Sequence, residues 1–322
     1  MRNHANTAAA WRRCRERLGP AVTWLAIFVW FRSGPAAGAE PYRGEPYRPG
    51  FHFSPAVNWT NEPHGLVYAD GLYHLFFQWN PAEPVFGNQH WGHAVSPDLL
   101  RWEQRPAALA PLPLPGSPAF GFTPTAAIYP FSGSAVIDVG NTSGLGAGSH
   151  DPLVLIHTGF DSTTGTQDQR LAVSNDGGMT FRPFAGNPVL EDPVNPLEAR
   201  DPRVFWHEPD SAWKMVLAHG GQNRLSIWES PDLKSWSFRS NFTDPALESL
   251  GVTGWEMPDL VKLPVDGDSA TTRWVMLWTS AQGGPEGKNG AAYATGMFNG
   301  DAFIRSESGT PLWADYGGDF DG

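Results

Sequence analysis

The sequence has little charge and almost no cysteine. Of its 322 residues, 17% are charged, and the formal net charge is -11. The body of the chain carries no cluster of lysine and arginine, so neither nucleic acid nor an anionic membrane surface is expected as a partner. The single cysteine, Cys14, lies close to the N-terminus, which leaves the rest of the chain without disulfides or thiolate chemistry.

The apolar run at residues 21–31 is also short, about half of the ~20 residues that a membrane span requires. Arginines precede it at positions 12, 13, 15 and 17, and Ala37-Gly38-Ala39 offers small residues for cleavage. This pattern predicts a signal peptide over residues 1–39, followed by a linker over residues 40–50. We therefore expect a secreted protein that has no membrane attachment after cleavage.

Glycine, proline and aromatic residues are abundant: 36 Gly, 30 Pro and 13% aromatics. That mixture favours many short strands joined by turns, and it predicts an all-β fold. Strand-turn-strand patterns begin at residues 66, 134, 203 and 259, and in the first of them Asp70-Gly71 predicts a tight hairpin turn.

A second repeated pattern accompanies these units. Residues 96–102 (SPDLLRW) are echoed by residues 230–236 (SPDLKSW) and more loosely by residues 174–181 (SNDGGMTF). Repeats several tens of residues long, each a small antiparallel sheet, predict a β-propeller over residues 51–322. A β-sandwich is the alternative on pattern alone.

Three acidic residues stand at similar places in these units. Glu62, Asp201 and Glu256 each come just before the first predicted strand. The starts of innermost propeller strands converge at one end of the axis, so the three carboxylates are expected to share a funnel. A lone acid beside proline is usually a turn residue, but three in register favour a site. Paired carboxylates suit glycoside cleavage, and mutual repulsion is expected to raise the pKa of one carboxyl, keeping it protonated as the acid.

Six short motifs give the chain, from about Phe51 to its end, a resemblance to glycoside hydrolase family 32, the invertases, inulinases, levanases and related fructosyltransferases. They occur in the family's order: WTNEPHG at 59–65, FQWNP at 77–81, WGHA at 91–94, FSGS at 131–134, RDP at 200–202 and WEMPDL at 255–260. The resemblance implies a five-bladed propeller and a retaining mechanism on β-fructosides, without a metal or another cofactor.

The resemblance also assigns roles. It makes Glu62 the nucleophile, Glu256 the general acid/base, and Asp201, beside Arg200, the acid that stabilises the transition state by binding fructose hydroxyls. The remaining predicted sugar-pocket residues are Trp59, Asn61, Gln78, Phe86, Trp91, Phe131 and Ser132. Of these, Trp59 and Trp91 are the tryptophans expected to serve as sugar platforms.

The sequence departs from the family pattern at four residues. The family's nucleophile motif is Asn-Asp-Pro-Asn-Gly, whereas this chain has Glu62 in place of the Asp and His64 in place of the second Asn. Phe86 stands where many members have tryptophan, and Met257 replaces the usual cysteine. An extra methylene moves the attacking oxygen by more than about 1 Å, which can cost on the order of 100-fold in rate unless the pocket has adapted.

The chain also ends early relative to the pattern. Residues 313–320 resemble the family's fourth-blade segment, so the fifth blade and the C-terminal β-sandwich are expected to be missing and the chain to be a fragment.

The function predicted from the sequence is a β-fructofuranosidase-type glycosidase acting on sucrose, inulin or levan through a fructosyl-enzyme intermediate. Trp59 resembles the residue of the hydrolases, so hydrolysis is favoured over fructosyl transfer. A fructan-binding relative with impaired catalysis is the rival, motivated by Glu62 and His64. An arabinan hydrolase is disfavoured by the motifs at residues 131–134 and 255–256.

Overall fold

A computed structural model of the chain describes residues 45–49, 52–117, 119–120, 123–124, 126–306 and 312–314. The predicted signal peptide, most of the predicted linker and Cys14 lie outside these residues. Contacts divide the chain after Pro46, and every element below belongs to the unit from Tyr47 to Gly322. In the described part, no helix is long and apolar enough to cross a membrane.

The first sheet is a four-stranded antiparallel meander in chain order: β1 (Trp59–Ala69), β2 (Leu72–Asn80), β3 (His90–Ser96) and β4 (Glu103–Leu109). Asp70 and Gly71 form the turn between β1 and β2 with φ values of 50° and 83°, as the Asp-Gly pair predicted.

Three short strands come next: β5 (Leu112–Pro113), β6 (Ala119–Phe120) and β7 (Thr123–Pro124). Strands β6 and β7 pair with each other. The second sheet has the order β5-β8-β9-β10-β11, and β12 also pairs with β10. Its three long strands are antiparallel neighbours in chain order: β8 (Ala127–Ile137), β9 (Leu153–Asp161) and β10 (Gln167–Ser174). The two-residue strands β11 (Arg182–Pro183) and β12 (Leu190–Glu191) each pair with β10.

The third and fourth sheets repeat the meander. The third contains β13 (Ala199–His207), β14 (Ala212–His219), β15 (Arg224–Ser230) and β16 (Ser237–Thr243). The fourth contains β17 (Thr253–Val265), β18 (Asp268–Gln282), β19 (Gly290–Phe298) and β20 (Phe303–Arg305), with β21 (Leu312–Trp313) also pairing with β19. Among the described residues, the helical pieces are a short helix α1 (Pro245–Ser249) and three 3-10 turns at Glu208–Asp210, Gly220–Gln222 and Pro285–Gly287.

Side chains of a buried strand alternate between two cores. In β9, Leu153 and Leu155 pack with the first sheet, whereas Val154 and Ile156 pack with the third. Successive side chains of a strand point to opposite faces of the sheet. A strand covered on both faces is therefore apolar throughout, which is why β9 shows no polar alternation.

The sheets pack in chain order around their first strands. Strand β1 contacts β8, β8 contacts β13, and β13 contacts β17. Four antiparallel sheets joined in this way are four blades of a propeller, so the all-β propeller prediction is confirmed. The C-terminal β-sandwich that the resemblance implies is not among the described residues.

The Ser-x-Asp repeats occupy equivalent places in three blades, each between the third and fourth strands. In the first copy, the Asp98 carboxylate accepts hydrogen bonds from the N–H groups of Leu100 and Arg101, at 3.0 and 2.8 Å. The residue after each aspartate has a positive φ: 63° at Leu99, 62° at Leu233 and 69° at Gly177. The repeat is therefore a shared turn, which explains how short segments could reveal the blades.

Candidate active site

The first strand of every blade contains a β-bulge near the same end. The register of strand pairing shifts between residues 60 and 63 in β1, 130 and 133 in β8, 200 and 203 in β13, and 256 and 259 in β17. A bulge leaves residues unpaired, bends the strand and turns their side chains in a new direction. The four bulges therefore set the directions of the side chains that meet at the propeller axis.

These bulges correct the predicted strand starts. Glu62, Asp201 and Glu256 were placed just before the first strands, but each lies inside one. A proline can occupy a bulge because it has no N–H to leave unpaired, so the Glu-Pro and Asp-Pro pairs mark bulges where a loop was expected. The three acids are also not fully equivalent. Glu62 and Asp201 are bulge residues, whereas Glu256 is the last paired residue before its bulge, the position that Arg200 has in β13.

A cavity of about 210 Å³ lies at these bulges. It is lined by the three acids and by all of the predicted pocket residues except Trp91, together with Gln89 and Met257: Trp59, Asn61, Glu62, Gln78, Phe86, Gln89, Phe131, Ser132, Arg200, Asp201, Glu256 and Met257. Four blades contribute to it, so residues as far apart in the sequence as 59 and 257 share one site.

Glu62 is bound by the neighbouring blade. The hydroxyl of Ser132, from the bulge of β8, donates a hydrogen bond to Glu62 Oε1. Gln78 crosses between the same two blades, since its Nε2 donates to the carbonyl of Pro130 at 3.1 Å. Its Oε1 is buried and has no hydrogen-bond partner among the described residues. A buried acceptor without a partner is costly, so this oxygen is an unsatisfied polar atom at the contact between blades one and two.

Asp201 is fixed at both its backbone and its carboxylate. It has a left-handed φ of 60°, which is uncommon for a residue other than glycine. Its N–H donates to Thr158 Oγ1 at 3.0 Å, and Thr158 in turn donates to Gln169 Oε1 at 3.0 Å. On the other side, the N–H of Met257 donates to Asp201 Oδ2. These contacts hold an unusual backbone conformation in place.

Burial raises the pKa of Asp201 to about 7, and repulsion from Glu256 adds to the effect. Arg200 and the N–H of Met257 oppose it, and Glu62 contributes a smaller increase. Mutual repulsion among the acids predicts a raised pKa for one carboxyl, the proton donor. The carboxyl in the cavity whose pKa is raised is Asp201, and desolvation is the first cause because the residue is only 7% exposed.

Arg200 connects blades three and four. Its Nε and Nη2 atoms both donate to Glu256 Oε1, at 2.9 and 2.7 Å, while Nη1 donates to Glu198 Oε2 at 3.0 Å. The guanidinium therefore lies between two carboxylates, one in the cavity and one beside it. A planar guanidinium presents its donors in a fixed geometry, so these contacts define where the Glu256 carboxylate stands.

Aromatic rings form one side of the cavity. Trp59 and Phe86 meet edge to face with ring centroids 5.4 Å apart, and Phe131 stacks on Phe160 at 4.7 Å. Phe86 is 69% exposed, so its ring stands at the mouth.

Trp91 is the predicted pocket residue that the structure places elsewhere. Its side chain is completely buried in the core between blades one and two, where it packs against His64 at a centroid distance of 4.1 Å. Its indole N–H donates to the carbonyl of Phe131 at 2.9 Å. The expected sugar platform is thus wrong for Trp91, because a ring with no exposed surface cannot contact a ligand. Instead it supports the bulge that carries Phe131.

Several residues around the site were not singled out from the sequence. Gln89 lines the cavity, and its place just before the motif at residues 91–94 is the sequence feature that could have indicated it. Thr158 and Glu198 carry no motif, and their contacts depend on how blades pack. Ser134 lies within the FSGS motif, and its buried hydroxyl donates to the carbonyl of Pro202 and accepts from the N–H of Val204. It thereby joins β8 to the bulge of β13.

Within the described residues, no group of three or more His, Cys, Asp or Glu side chains is arranged to hold a metal ion.

Comparison with known proteins gives one consistent result. The chain matches the model for "Glycosyl hydrolases family 32 N-terminal domain" over residues 52–322. It is 41% identical over 307 residues to a levanase from Bacillus subtilis (strain 168), an alignment covering 95% of this chain and 42% of that protein. It is 40% identical over 306 residues to an extracellular exo-inulinase from Aspergillus awamori, covering 87% and 54% respectively.

Comparison with solved structures agrees with the sequence comparison. The crystal structure of the exo-inulinase from Aspergillus awamori matches with a TM-score of 0.76 and 38% identity, covering 86% of this chain and 56% of that one. The chain spans about half the length of the curated relatives it matches.

Proposed function

The chain belongs to glycoside hydrolase family 32, and on that premise we propose that it is a retaining glycosidase that cleaves terminal β-D-fructofuranosyl bonds. The observation that carries the proposal is the meeting of Glu62, Asp201 and Glu256, from three different blades, in one cavity. A pair of carboxylates flanking a glycosidic bond is the chemistry of glycoside cleavage.

The proposed reaction has two displacements. In the first, Glu62 attacks the anomeric carbon of the fructosyl group while Glu256 gives its proton to the departing oxygen. This step leaves a fructosyl ester on Glu62. In the second, the Glu256 carboxylate takes a proton from water, and the resulting hydroxide displaces Glu62 and releases fructose with its configuration retained.

The contacts of each acid support its proposed part. Ser132 donates to one oxygen of Glu62, which fixes the direction of the carboxylate before attack. Arg200 holds Glu256 Oε1 from the neighbouring blade. Asp201 lines the cavity and its backbone N–H is bound by Thr158, which supports its proposed part of binding fructose hydroxyls. Positioning of this kind matters because a displacement of about 1 Å can cost on the order of 100-fold in rate.

The proposed substrates are sucrose and the fructans inulin and levan. The relatives named above are a levanase and an exo-inulinase, and Trp59, whose presence favours hydrolysis over transfer, lines the cavity. Because the matched exo-inulinase is extracellular, and because residues 1–39 predict a signal peptide, we propose that this protein is secreted as well.

One specific observation favours a second candidate, a fructan-binding relative with impaired catalysis. The nucleophile's place is occupied by Glu62, with His64 two residues later, where the family pattern has Asp and Asn. His64 is buried, and both of its ring nitrogens lack hydrogen-bond partners among the described residues. The altered motif therefore includes a costly arrangement beside the nucleophile.

Incubation of the full chain with sucrose, inulin and levan tests both candidates, with released fructose as the measurement. Turnover of any of the three, abolished by Glu256→Gln, supports the glycosidase. Binding of the oligosaccharides by calorimetry without turnover supports the binding relative. Neither binding nor turnover would overturn both. Oligosaccharide products longer than the substrate would show fructosyl transfer.

A further inference from the structure

Arg200 is held at both ends of its guanidinium. Two of its N–H groups bind the proposed acid/base Glu256, and Nη1 binds Glu198, which lies immediately before β13. The Arg200 side chain is 18% exposed, so its charge is largely removed from water. Without Glu198, the guanidinium would be held, among the described residues, only by its two hydrogen bonds to Glu256 Oε1.

Glu198 is itself anchored. Its Oε2 accepts a hydrogen bond of 3.2 Å from the N–H of Gly221, in the 3-10 turn Gly220–Gln222 that follows β14. This turn approaches both partners closely. A Cβ at Gly220 would lie 2.5 Å from Arg200 Nη2, and one at Gly221 would lie 3.2 Å from the Glu198 carboxyl carbon. The two glycines thus allow the backbone to close around the Glu198–Arg200 pair.

We propose that Glu198 is a positioning residue: by holding Nη1 of Arg200 it directs Nε and Nη2 onto Glu256 and sets the charge that the acid/base experiences. The inference rests on the proposed function of Glu256. Because the guanidinium is planar and its donors are fixed in direction, fixing one end fixes the other.

The charged groups on the surrounding elements determine the net charge that acts on Glu256. Glu62, on β1, adds negative charge near the pair, and Asp201, on β13, does so once the pH exceeds its pKa of about 7. His219, on β14, is affected by both Arg200 and Glu198, and its pKa is lowered to about 4, first by burial, so it is neutral near pH 7. Asp192 Oδ2 lies 3.1 Å from His219 Nδ1 and 3.7 Å from Arg224 Nη2. Glu198 therefore offsets part of the Arg200 charge that acts on Glu256.

Removing that offset has a predictable effect. Without the Glu198 charge, more of the Arg200 charge acts on Glu256 and favours its ionised form, which cannot donate a proton. The basic limb of the pH profile then moves to lower pH. Loss of the contact itself has a different effect, because it releases the guanidinium and displaces the acid/base.

Two variants separate these effects. Glu198→Gln keeps an oxygen that can accept from Nη1 but removes the charge, so kcat should stay within about threefold at the optimum while the basic limb moves down by about 0.5 to 1 pH unit. Glu198→Ala removes the contact, so kcat should fall roughly 10- to 100-fold with KM changed less than about twofold. Glu208→Gln, an exposed glutamate at the other end of β13, is the matched control.

A second measurement does not depend on turnover. In a ¹H–¹⁵N spectrum of the full chain, the Arg200 Nε–H signal, assigned by its loss in Arg200→Lys, should move in Glu198→Ala and stay in Glu208→Gln. An unchanged signal together with unchanged kcat and pH profile in both Glu198 variants would overturn the inference. If the parent chain releases no fructose, the proposed function fails, whereas the spectrum still decides whether Glu198 orients Arg200.

Discussion

The backbone N–H of Met257 donates a hydrogen bond of 3.1 Å to Asp201 Oδ2. It joins the bulge of blade four to that of blade three, and the two residues are 56 positions apart. Arg200 with Glu256 and Arg203 with Asp259 connect the same blades at the same separation. Three contacts in one register keep the two bulges aligned, so the proposed acid/base and the stabilising acid are fixed relative to each other.

Shortening the proposed nucleophile tests whether the pocket has adapted to it. Ser132 donates a hydrogen bond to the carboxylate of Glu62, whose side chain is one methylene longer than that of aspartate. In Glu62→Asp we expect kcat/KM for fructose release to fall roughly 10- to 100-fold, because the attacking oxygen lies farther from the anomeric carbon. Mass-spectrometric trapping of a fructosyl ester on Glu62 in the parent checks the mechanism. Glu103→Asp, an exposed site on β4, is the control. A strong gain of activity in Glu62→Asp would contradict an adapted pocket.

Replacing the acid/base by its amide separates chemistry from binding. Glu256→Gln retains the shape and an oxygen that can accept from Arg200, but it has no proton to give. We expect kcat to fall about 100- to 10,000-fold, with the affinity for a fructo-oligosaccharide retained. Stopped-assay kinetics and calorimetry on the same preparation measure the two quantities. Turnover close to that of the parent would remove Glu256 from the mechanism.

The raised pKa of Asp201 makes stability depend on pH. Between the unfolded value of about 4 and the folded value of about 7, the folded state binds the proton and the unfolded state does not, so the free energy of unfolding falls as pH rises through this window. Asp201→Asn removes the ionisation. Below pH 4, we expect the ionisation of Asp201 to make no difference between the free energies of unfolding of variant and parent. Above pH 7, we expect the variant to be more stable by at most about 4 kcal/mol.

Denaturant titrations from pH 4 to 9 measure this difference. Parallel stability curves for parent and variant would show that Asp201 ionises freely in the folded state. The same variant should lose fructosidase activity at every pH, because an amide is a poorer acceptor for the sugar hydroxyls.

Two tryptophans with opposite surroundings test the corrected role of Trp91. Trp91→Phe removes a buried N–H from the carbonyl of Phe131 and leaves space in the core, so we expect about 1 to 3 kcal/mol less stability and a KM within about threefold of the parent. Trp59→Phe, at the cavity wall, should raise KM and change stability little. Denaturant unfolding and substrate titration distinguish them, and the reverse pattern would restore Trp91 as a sugar contact.

The sequence by itself determined the architecture and most of the cavity wall. Turns such as Asp70-Gly71 and the Ser-x-Asp repeats are set by local backbone preferences, so short segments reveal where blades turn. The motifs around Glu62, Asp201 and Glu256 lie at the bulges of innermost strands, and those strands converge by topology. The order of the motifs along the chain therefore predicts that their residues share one cavity.

Tertiary structure alone decided which side chains face that cavity and what charge they carry. Trp91 has the sequence context of a pocket residue, yet strand alternation and the packing of two blades bury it. Glu198 is part of the site's surroundings because Arg200 and the turn that follows β14 both donate hydrogen bonds to its carboxylate. The pKa of Asp201 is raised by desolvation from blades distant in sequence. The burial of a side chain depends on residues that are distant in sequence and approach it only in the folded protein, so a local sequence pattern does not predict it.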